Sequence, residues 1–452
     1  MNLASHARPS LCLALPLALT LWGSTPDRGQ AGPLLELYEE TVESAPLKTA
    51  ADLEAQAAAQ AVTTKKRRIL PRLSLDFREL WVKREIDGAG AIDSRASDDE
   101  YENRRLNLEL DQPLFDGTIK PEVAAAKARQ RQMDSRSQWV AENRVREVVG
   151  EFVNAVKLLN LIDSTDGAIA RIDSELEAVS RQKDANVATV SDVQNVRLAL
   201  VSLKRDRGNY EIQLSESLSR LGAGSGLFDS VNLDWSRGGA HDSWLSELEA
   251  EADTAEIAML QAEAEEISHQ ATATRRRSWP VLSLYSHYGT DHGGSAEFGG
   301  FRNDYRDLNY AEAGVVVRWN LFDRGMHRSE AKELELRGRA KEAELEEVVR
   351  ERDRAASLDQ TLVYHAQNSL DELDELRREY AVLEEAAEKA YRAGQGNYIN
   401  FISVYLAREA AQRDWILARH DLLTRQIALH ANATGWNRDL IQKVDGIFLA
   451  GK

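Results

Sequence analysis

The chain is poor in the residues that cross-link or interrupt a backbone. Of 452 residues, one is cysteine and nine are proline. The cysteine, Cys12, lies inside the apolar run Leu11–Trp22. Arg8 precedes that run, and a polar stretch ending Gly29-Gln30-Ala31 follows it. This is the order of a secretory signal, with a cut expected near Ala31. The mature chain would then hold no cysteine, which excludes disulfides and thiolate metal sites. Cys12 follows Leu11 at the start of the run, which is the wrong place for a lipid-attachment cysteine. No later segment reaches the roughly 18 apolar residues of a membrane helix. A chain that crosses a membrane without one must do so as β-structure, since only helices and closed barrels satisfy the backbone in lipid.

Positive charge is also short. The formal charge of −17 becomes −18 once the two arginines and one aspartate of residues 1–31 are removed. That balance argues against general nucleic-acid binding. Catalytic constellations are missing too: the nine histidines are scattered, with no HExxH helix, GxSxG turn or phosphate loop. No catalytic, cofactor or metal residues are assigned. His287 and His292 share a glycine-rich stretch with Asp291, where a surface metal contact is weighed against a solvated loop and the loop is preferred.

What the chain does have is written twice. "KKRRILPRLSL" (Lys65–Leu75) returns as "TRRRSWPVLSL" (Thr274–Leu284), with Pro71 and Pro280 separated by 209 positions. "QPLFDG" (Gln112–Gly117) returns as "WNLFDRG" (Trp319–Gly325), with Phe115 and Phe322 separated by 207. "NVATVSDVQNV" (Asn186–Val196) falls opposite "GQGNYINFISV" (Gly394–Val404) at 208. Three correspondences at nearly one offset indicate an internal duplication.

Within each copy the apolar period switches. Leu73, Leu75, Phe77 and then Leu106, Leu108, Leu110 alternate, as do Leu282 and Leu284, then Val315, Val317, Trp319 and Leu321. That is a strand pattern, with long hairpin loops at 87–103 and 289–307. Elsewhere the steps are helical, as in Val145, Val148, Val149, Phe152, Val153, Val156 and Leu159. Residues 118–186 as one helix would extend roughly 100 Å at about 1.5 Å per residue. Helices Leu34–Ile69 and Val190–Leu221 together match that length, so two short helices end to end are expected beside one long one. The second copy repeats this with 324–394 against 243–278 and 397–433. Each half is a strand hairpin on a coiled-coil shaft.

The ordered set resembles the TolC-like outer-membrane efflux channel family over about Pro33–Gly435. It is carried by "LLELYEETVESAP" (Leu34–Pro46), the strand starts at Pro71 and Pro280, "QPLFDG" with "NLFDRG", and "VATVSDVQNVRLAL" (Val187–Leu200). The resemblance implies a mainly α fold with membrane β: a long coiled-coil tunnel, and four β-strands per protomer completing a trimeric 12-stranded outer-membrane β-barrel. Pro71, Pro280, Phe115 and Phe322 would mark helix-to-strand junctions, and a proline there ends helical continuity. By resemblance, Asp192 and Tyr391 would hydrogen-bond across neighbouring helices and hold the periplasmic tip closed. Gly396 stands where the family places an arginine, opposite Ser191, and Asn400 and Ser403 stand at the family's acidic pore ring. A less charged, weaker gate is expected. The basic clusters Lys65–Arg68 and Arg275–Arg277 are read either as inner-leaflet lipid contacts or as solvated helix ends. Trp81, Trp279 and Trp319 fit an interfacial aromatic girdle or ordinary packing.

The expected boundaries are 1–31 signal peptide, 32–71 periplasmic helix, 72–116 first barrel hairpin, 117–222 first coiled-coil pair and 223–242 equatorial linker. The second repeat has 243–280 periplasmic helix, 281–322 second barrel hairpin and 323–434 second coiled-coil pair, followed by a 435–452 tail. The implied function is the exit duct of a tripartite efflux or type I secretion system. Its implied partners are two more copies of the chain, outer-membrane lipid, a periplasmic adaptor and an inner-membrane transporter. A secreted coiled-coil scaffold without a pore is the alternative; a periplasmic adaptor is disfavoured by the duplicated strand pairs.

Overall fold

The computed structural model of the chain describes residues 32–42, 45–84, 99–231, 254–293, 295–298, 301–304 and 308–449. The signal segment, part of the linker, the start of the 243–280 segment and parts of both hairpin loops lie outside these residues.

The first repeat runs α1 (Pro33–Thr41), α2 (Pro46–Arg67), β1 (Arg72–Arg84), β2 (Asp99–Phe115), α3 (Ile119–Asp184) and α4 (Val190–Leu221). The second runs α5 (Ala255–Arg276), β3 (Val281–Gly293), β4 (Ser295–Phe298), β5 (Phe301–Asp304), β6 (Leu308–Arg318), α6 (Met326–Arg392) and α7 (Tyr398–Thr434), and α8 (Arg438–Leu449) closes the chain. α3 has 66 residues and α6 has 67. Each is flanked lengthwise by two shorter helices: α2 and α4 lie along α3, α5 and α7 along α6, and α3 also packs on α5 and α7.

Four expectations change. The loops expected at 87–103 and 289–307 are cut into by strand, since β2 starts at Asp99 and β3 runs to Gly293, which puts His287, Asp291 and His292 on a strand and not in a loop. The single helix Leu34–Ile69 is two, because Pro46 takes the first position of α2, where its missing N–H costs nothing. The alternation through Trp319 and Leu321 does not extend the last strand. β6 ends at Arg318, opposite Val281, the first residue of its partner β3, so no described strand remains beyond that point to pair with. The 435–452 tail contains α8. Asn437 Oδ1 accepts from Leu440 N at 2.9 Å to start it, and Leu440, Ile441, Val444, Ile447 and Phe448 bury one face.

The "LFDG" repeats explain themselves at the helix starts. Asp116 Oδ1 accepts from Thr118 N (2.8 Å) and Thr118 Oγ1 (2.7 Å) at the head of α3. Asp323 accepts from Gly325 N (2.9 Å) and His327 N (3.0 Å) at the head of α6. Those N–H groups hold the Asp323 carboxyl below its usual range. The aspartate of each motif thus follows a strand and accepts from N–H groups at the start of a long helix.

Two cores hold the rods. An equatorial core joins α1, α7, α8 and the middle of α3 through Leu34, Val149, Phe152, Ile427, Ile441 and Phe448. A second, near the α3/α4 and α6/α7 turns, gathers Ile172, Val196, Phe401, Ile402 and Tyr405.

Candidate functional site

The four long strands form one antiparallel sheet in the order β1-β2-β3-β6, leaving β1 and β6 each with one unpaired edge among the described residues. The register places Leu73, Leu75 and Phe77 beside Leu110, Leu108 and Leu106. On the same face follow Tyr288 with Ala311, Leu284 with Val315, and Leu282 with Val317. Among the described residues nothing covers this apolar face: Leu75 is 66% exposed, Phe77 62% and Val317 64%. The opposite face is polar. Ser74, Glu109, His287 and Glu312 lie in one row across all four strands. One step along, Asn107, Gly289 and Tyr310 share a row, and Tyr310 donates to Asn107 Oδ1 at 3.2 Å. A Cβ at Gly289 would stand 2.4 Å from the Tyr310 ring, so glycine is what lets that ring lie across the strand. Arg105 Nε pairs with Asp291 Oδ2 at 2.9 Å on this face.

The helix-to-strand junctions are tied by charge and aromatic contact. Pro71 and Pro280 directly precede β1 and β3. Phe115, the last residue of β2, stacks on Trp279 with centroids 6.5 Å apart, and the Arg276 guanidinium lies 5.1 Å from the Trp279 ring centroid. Phe322 sits beyond β6 and is 81% exposed. The basic clusters reach the first turns of the long helices: Lys65 and Arg68 pair with Glu122, Arg275 with Glu335, and Arg277 with Glu330. Those side chains are engaged within the protomer.

At the far end, each helical turn needs one left-handed residue, supplied by Asn186 (φ 58°) and Gly394 (φ 72°). The turns stand at the 208 offset read from the sequence. The proposed Tyr391–Asp192 hydrogen bond is not formed. Asp192 is buried in a capping box, its Oδ2 accepting from Thr189 N (2.8 Å) and Thr189 Oγ1 (2.7 Å). Tyr391 instead donates to Gln182 Oε1 at 2.6 Å. It stacks on Phe401 and meets Tyr398 edge-on, with centroids 6.1 and 5.0 Å away. The contact still joins the α3/α4 hairpin to the α6/α7 hairpin, but through α3. Ser191, Gly396, Asn400 and Ser403 are all exposed, and Ser403 donates to its own helix at Ile399 O, 2.8 Å.

Above this lies a group of charges that sequence reasoning missed. Glu384 of α6, 5% exposed, accepts from Arg171 of α3 and Arg408 of α7, each at 2.8 Å. Arg171 also pairs with Glu388 at 3.1 Å and lies over the Tyr405 ring, 5.0 Å from its centroid. Burial raises the Glu409 carboxyl against the lowering pull of Arg408. Three helices from both repeats are thus bolted at one acidic residue. The only sequence trace is a glutamate among the inward positions of α6, which a solvated heptad face disguises.

His420 of α7 is 2% exposed, with Asn160 Nδ2 3.1 Å from its Nε2. Burial lowers its pKa from 6.5 to about 3, with Lys157 and Arg419 adding to the shift. The folded state refuses a proton that the unfolded chain accepts, so this stability is full above about pH 6.5 and falls as pH drops toward 3. About 2 kcal/mol should be lost by pH 5. Thermal unfolding at pH 7 and pH 5 should show the loss, and His420→Gln should flatten that part of the slope.

No protein-family model matches the sequence, and no curated protein matches it. Solved structures do. VceC, an outer membrane protein from Vibrio cholerae, superposes with TM-score 0.73 at 15% identity, covering 89% of this chain and 97% of that one. The CmeC outer membrane channel of Campylobacter jejuni gives 0.73 at 12% identity, covering 92% and 89%. CusC, described for transmembrane channel formation, gives 0.72 at 13% identity, covering 95% and 98%. The chain has the fold of these outer-membrane channels. Within that fold, the uncovered apolar face belongs to the sheet end and the Tyr391 cluster to the opposite, helical end.

Proposed function

We propose that the protein is one protomer of a trimeric outer-membrane channel, a passive exit duct whose strands cross the outer membrane and whose helices extend into the periplasm. The carrying observation is the open four-stranded sheet with a bare apolar face and two unpaired edges. Four strands cannot close alone, and an exposed edge has no place in lipid. Pairing β6 of one copy with β1 of the next gives twelve strands after three copies. β1, β2, β3 and β6 have 13, 17, 13 and 11 residues, enough for the roughly 9–11 of a tilted membrane strand.

The long helix α6 supports the same assembly. Its buried residues are Ala331, Gly338, Glu384 and Ala387, while Leu336, Leu358, Leu376 and Val382 are exposed, which leaves a face for a neighbouring copy. Residues 72–116 and 281–322 would build the barrel, and 117–222 with 323–434 the tunnel. The tip would meet a periplasmic adaptor joined to an inner-membrane transporter, as in tripartite efflux or type I secretion.

Light scattering of the mature, detergent-extracted protein, with detergent subtracted, tests this reading. A trimer that precipitates when detergent is withdrawn and conducts in a planar bilayer is expected; a soluble monomer or dimer would leave a coiled-coil scaffold instead. The exposed positions Asn400 and Ser403 predict weak ion selectivity at the tip. Asn400→Asp with Ser403→Asp places six new carboxylates in a trimer, and cation selectivity measured by reversal potential should rise several-fold. An unchanged reversal potential removes these positions from the pore lining.

A further inference from the structure

Four acidic side chains are buried among the described residues: Asp192, Glu266, Glu384 and Asp445. Asp192 closes its capping box, and Glu266 and Glu384 face arginines. Asp445, on α8, is different. It is 3% exposed within the equatorial core, and among the described residues no lysine, arginine or histidine pairs with it. Its partners are two backbone donors at the head of α1, Leu34 N at 3.0 Å and Leu35 N at 2.9 Å. Burial pushes its carboxyl up while those donors pull it down. A carboxylate so placed lacks a counter-charge.

Gly32 lies directly against it. A Cβ at position 32 would stand 2.2 Å from Asp445 Oδ2 and 2.3 Å from Cγ, so no side chain fits there. Gly32 is also the residue that follows the small-residue pair Gly29 and Ala31, at the third and first positions before the cut expected from the sequence. The close contact with Asp445 and the cut expected from the sequence therefore fall on the same residue.

We propose that a leader endopeptidase hydrolyses the Ala31–Gly32 bond and that the new α-ammonium of Gly32 is the counter-charge of Asp445. In that step water adds across the amide. Its oxygen joins the Ala31 carbonyl carbon to leave a carboxylate, the C–N bond breaks, and the Gly32 nitrogen departs as an amine that takes up a proton. Before the cut this nitrogen is an uncharged amide. Afterwards it is a cation at neutral pH, since a free α-amino group titrates near about 7.7–8.0. Processing thereby creates an ion pair that fastens the first helix to the last, and glycine is the residue whose backbone can approach the carboxylate this closely.

The proposal rests on export and not on conductance, so it can fail or hold whichever way the channel experiment goes. Intact mass and N-terminal peptide mapping of the mature protein should give Gly32 as first residue; any other first residue overturns the proposal. The pair is read separately by acetylation with an amine-reactive ester at neutral pH. Gly32 should react at least tenfold slower in the native protein than in Asp445→Asn, and equal rates overturn the pair. Should Asp445→Asn not assemble, the pH dependence of acetylation in the unmodified protein decides. The Gly32 amine should titrate at least one unit above the free-amine range of about 7.7–8.0, and a value within that range overturns the pair.

Discussion

Leu108→Arg should abolish assembly into the membrane while leaving the helical rods folded. Leu108 lies midway along β2, on the face shared with Leu75 and Tyr288. In a barrel that face meets lipid. An arginine at the bilayer midplane of a β-barrel costs about 2–4 kcal/mol, and the proposed trimer would carry three of them around one barrel. Glu312→Arg is the matched control: it changes charge by two units, but on the opposite, polar face in the row with His287. The trimer recovered from outer-membrane fractions should be lost with Leu108→Arg and retained with Glu312→Arg. Equal recovery of both would mean that the apolar face does not meet lipid.

Glu384→Ala should loosen the tip more than any change at the exposed positions Asn400 and Ser403. It leaves Arg171 and Arg408 facing one another without the acceptor they share. Breaking a buried pair from one side costs about 3–5 kcal/mol, and the partial exposure of both arginines puts this one at the lower end. Arg171 of α3 keeps Glu388 of α6 at 3.1 Å, so the two hairpins should loosen without separating or unfolding. Single-channel conductance should rise, with an unchanged helical signal by circular dichroism. Adding Arg171→Ala to Glu384→Ala should recover part of the closed state, because it removes the like charge that Arg408 would otherwise face. A conductance equal to that of the unmodified protein would show that this contact does not restrain the pore.

The repeat architecture was legible because it depends on periodicity and on prolines, both of which survive in a single sequence. Leu73, Leu75 and Phe77 alternate whether or not the sheet is seen, and the residues that become α3 and α6 carry no interior proline past the first turn. What depends on pairing was not legible. β6 stops at Arg318 because its partner begins at Val281, a fact of register that the run through Leu321 does not contain. Tyr391 finds Gln182 on the opposite hairpin because the rods pack in one particular rotation, and a 3.6-residue period does not fix that rotation. Glu384 looks like any other solvated glutamate of a long helix until Arg171 and Arg408 arrive from two other helices. α8 could have been found: Asn437 and the apolar spacing from Leu440 to Phe448 are ordinary helix signals, overlooked because they follow the glycine that ends α7.

The length of α3 has a mechanical consequence. From Phe152 in the equatorial core to Asp184 at its end, the helix continues unbroken for about 48 Å at about 1.5 Å per residue. It is a lever whose fulcrum is the buried ring of Phe152, stacked on Phe228 at 5.2 Å and edge-on to Phe448 at 5.5 Å. A tilt of about 5° there displaces the far end by about 4 Å, more than a hydrogen bond's length, with no backbone bond in the helix broken. Small adjustments in the equatorial core are thereby amplified into larger displacements at the far helical end.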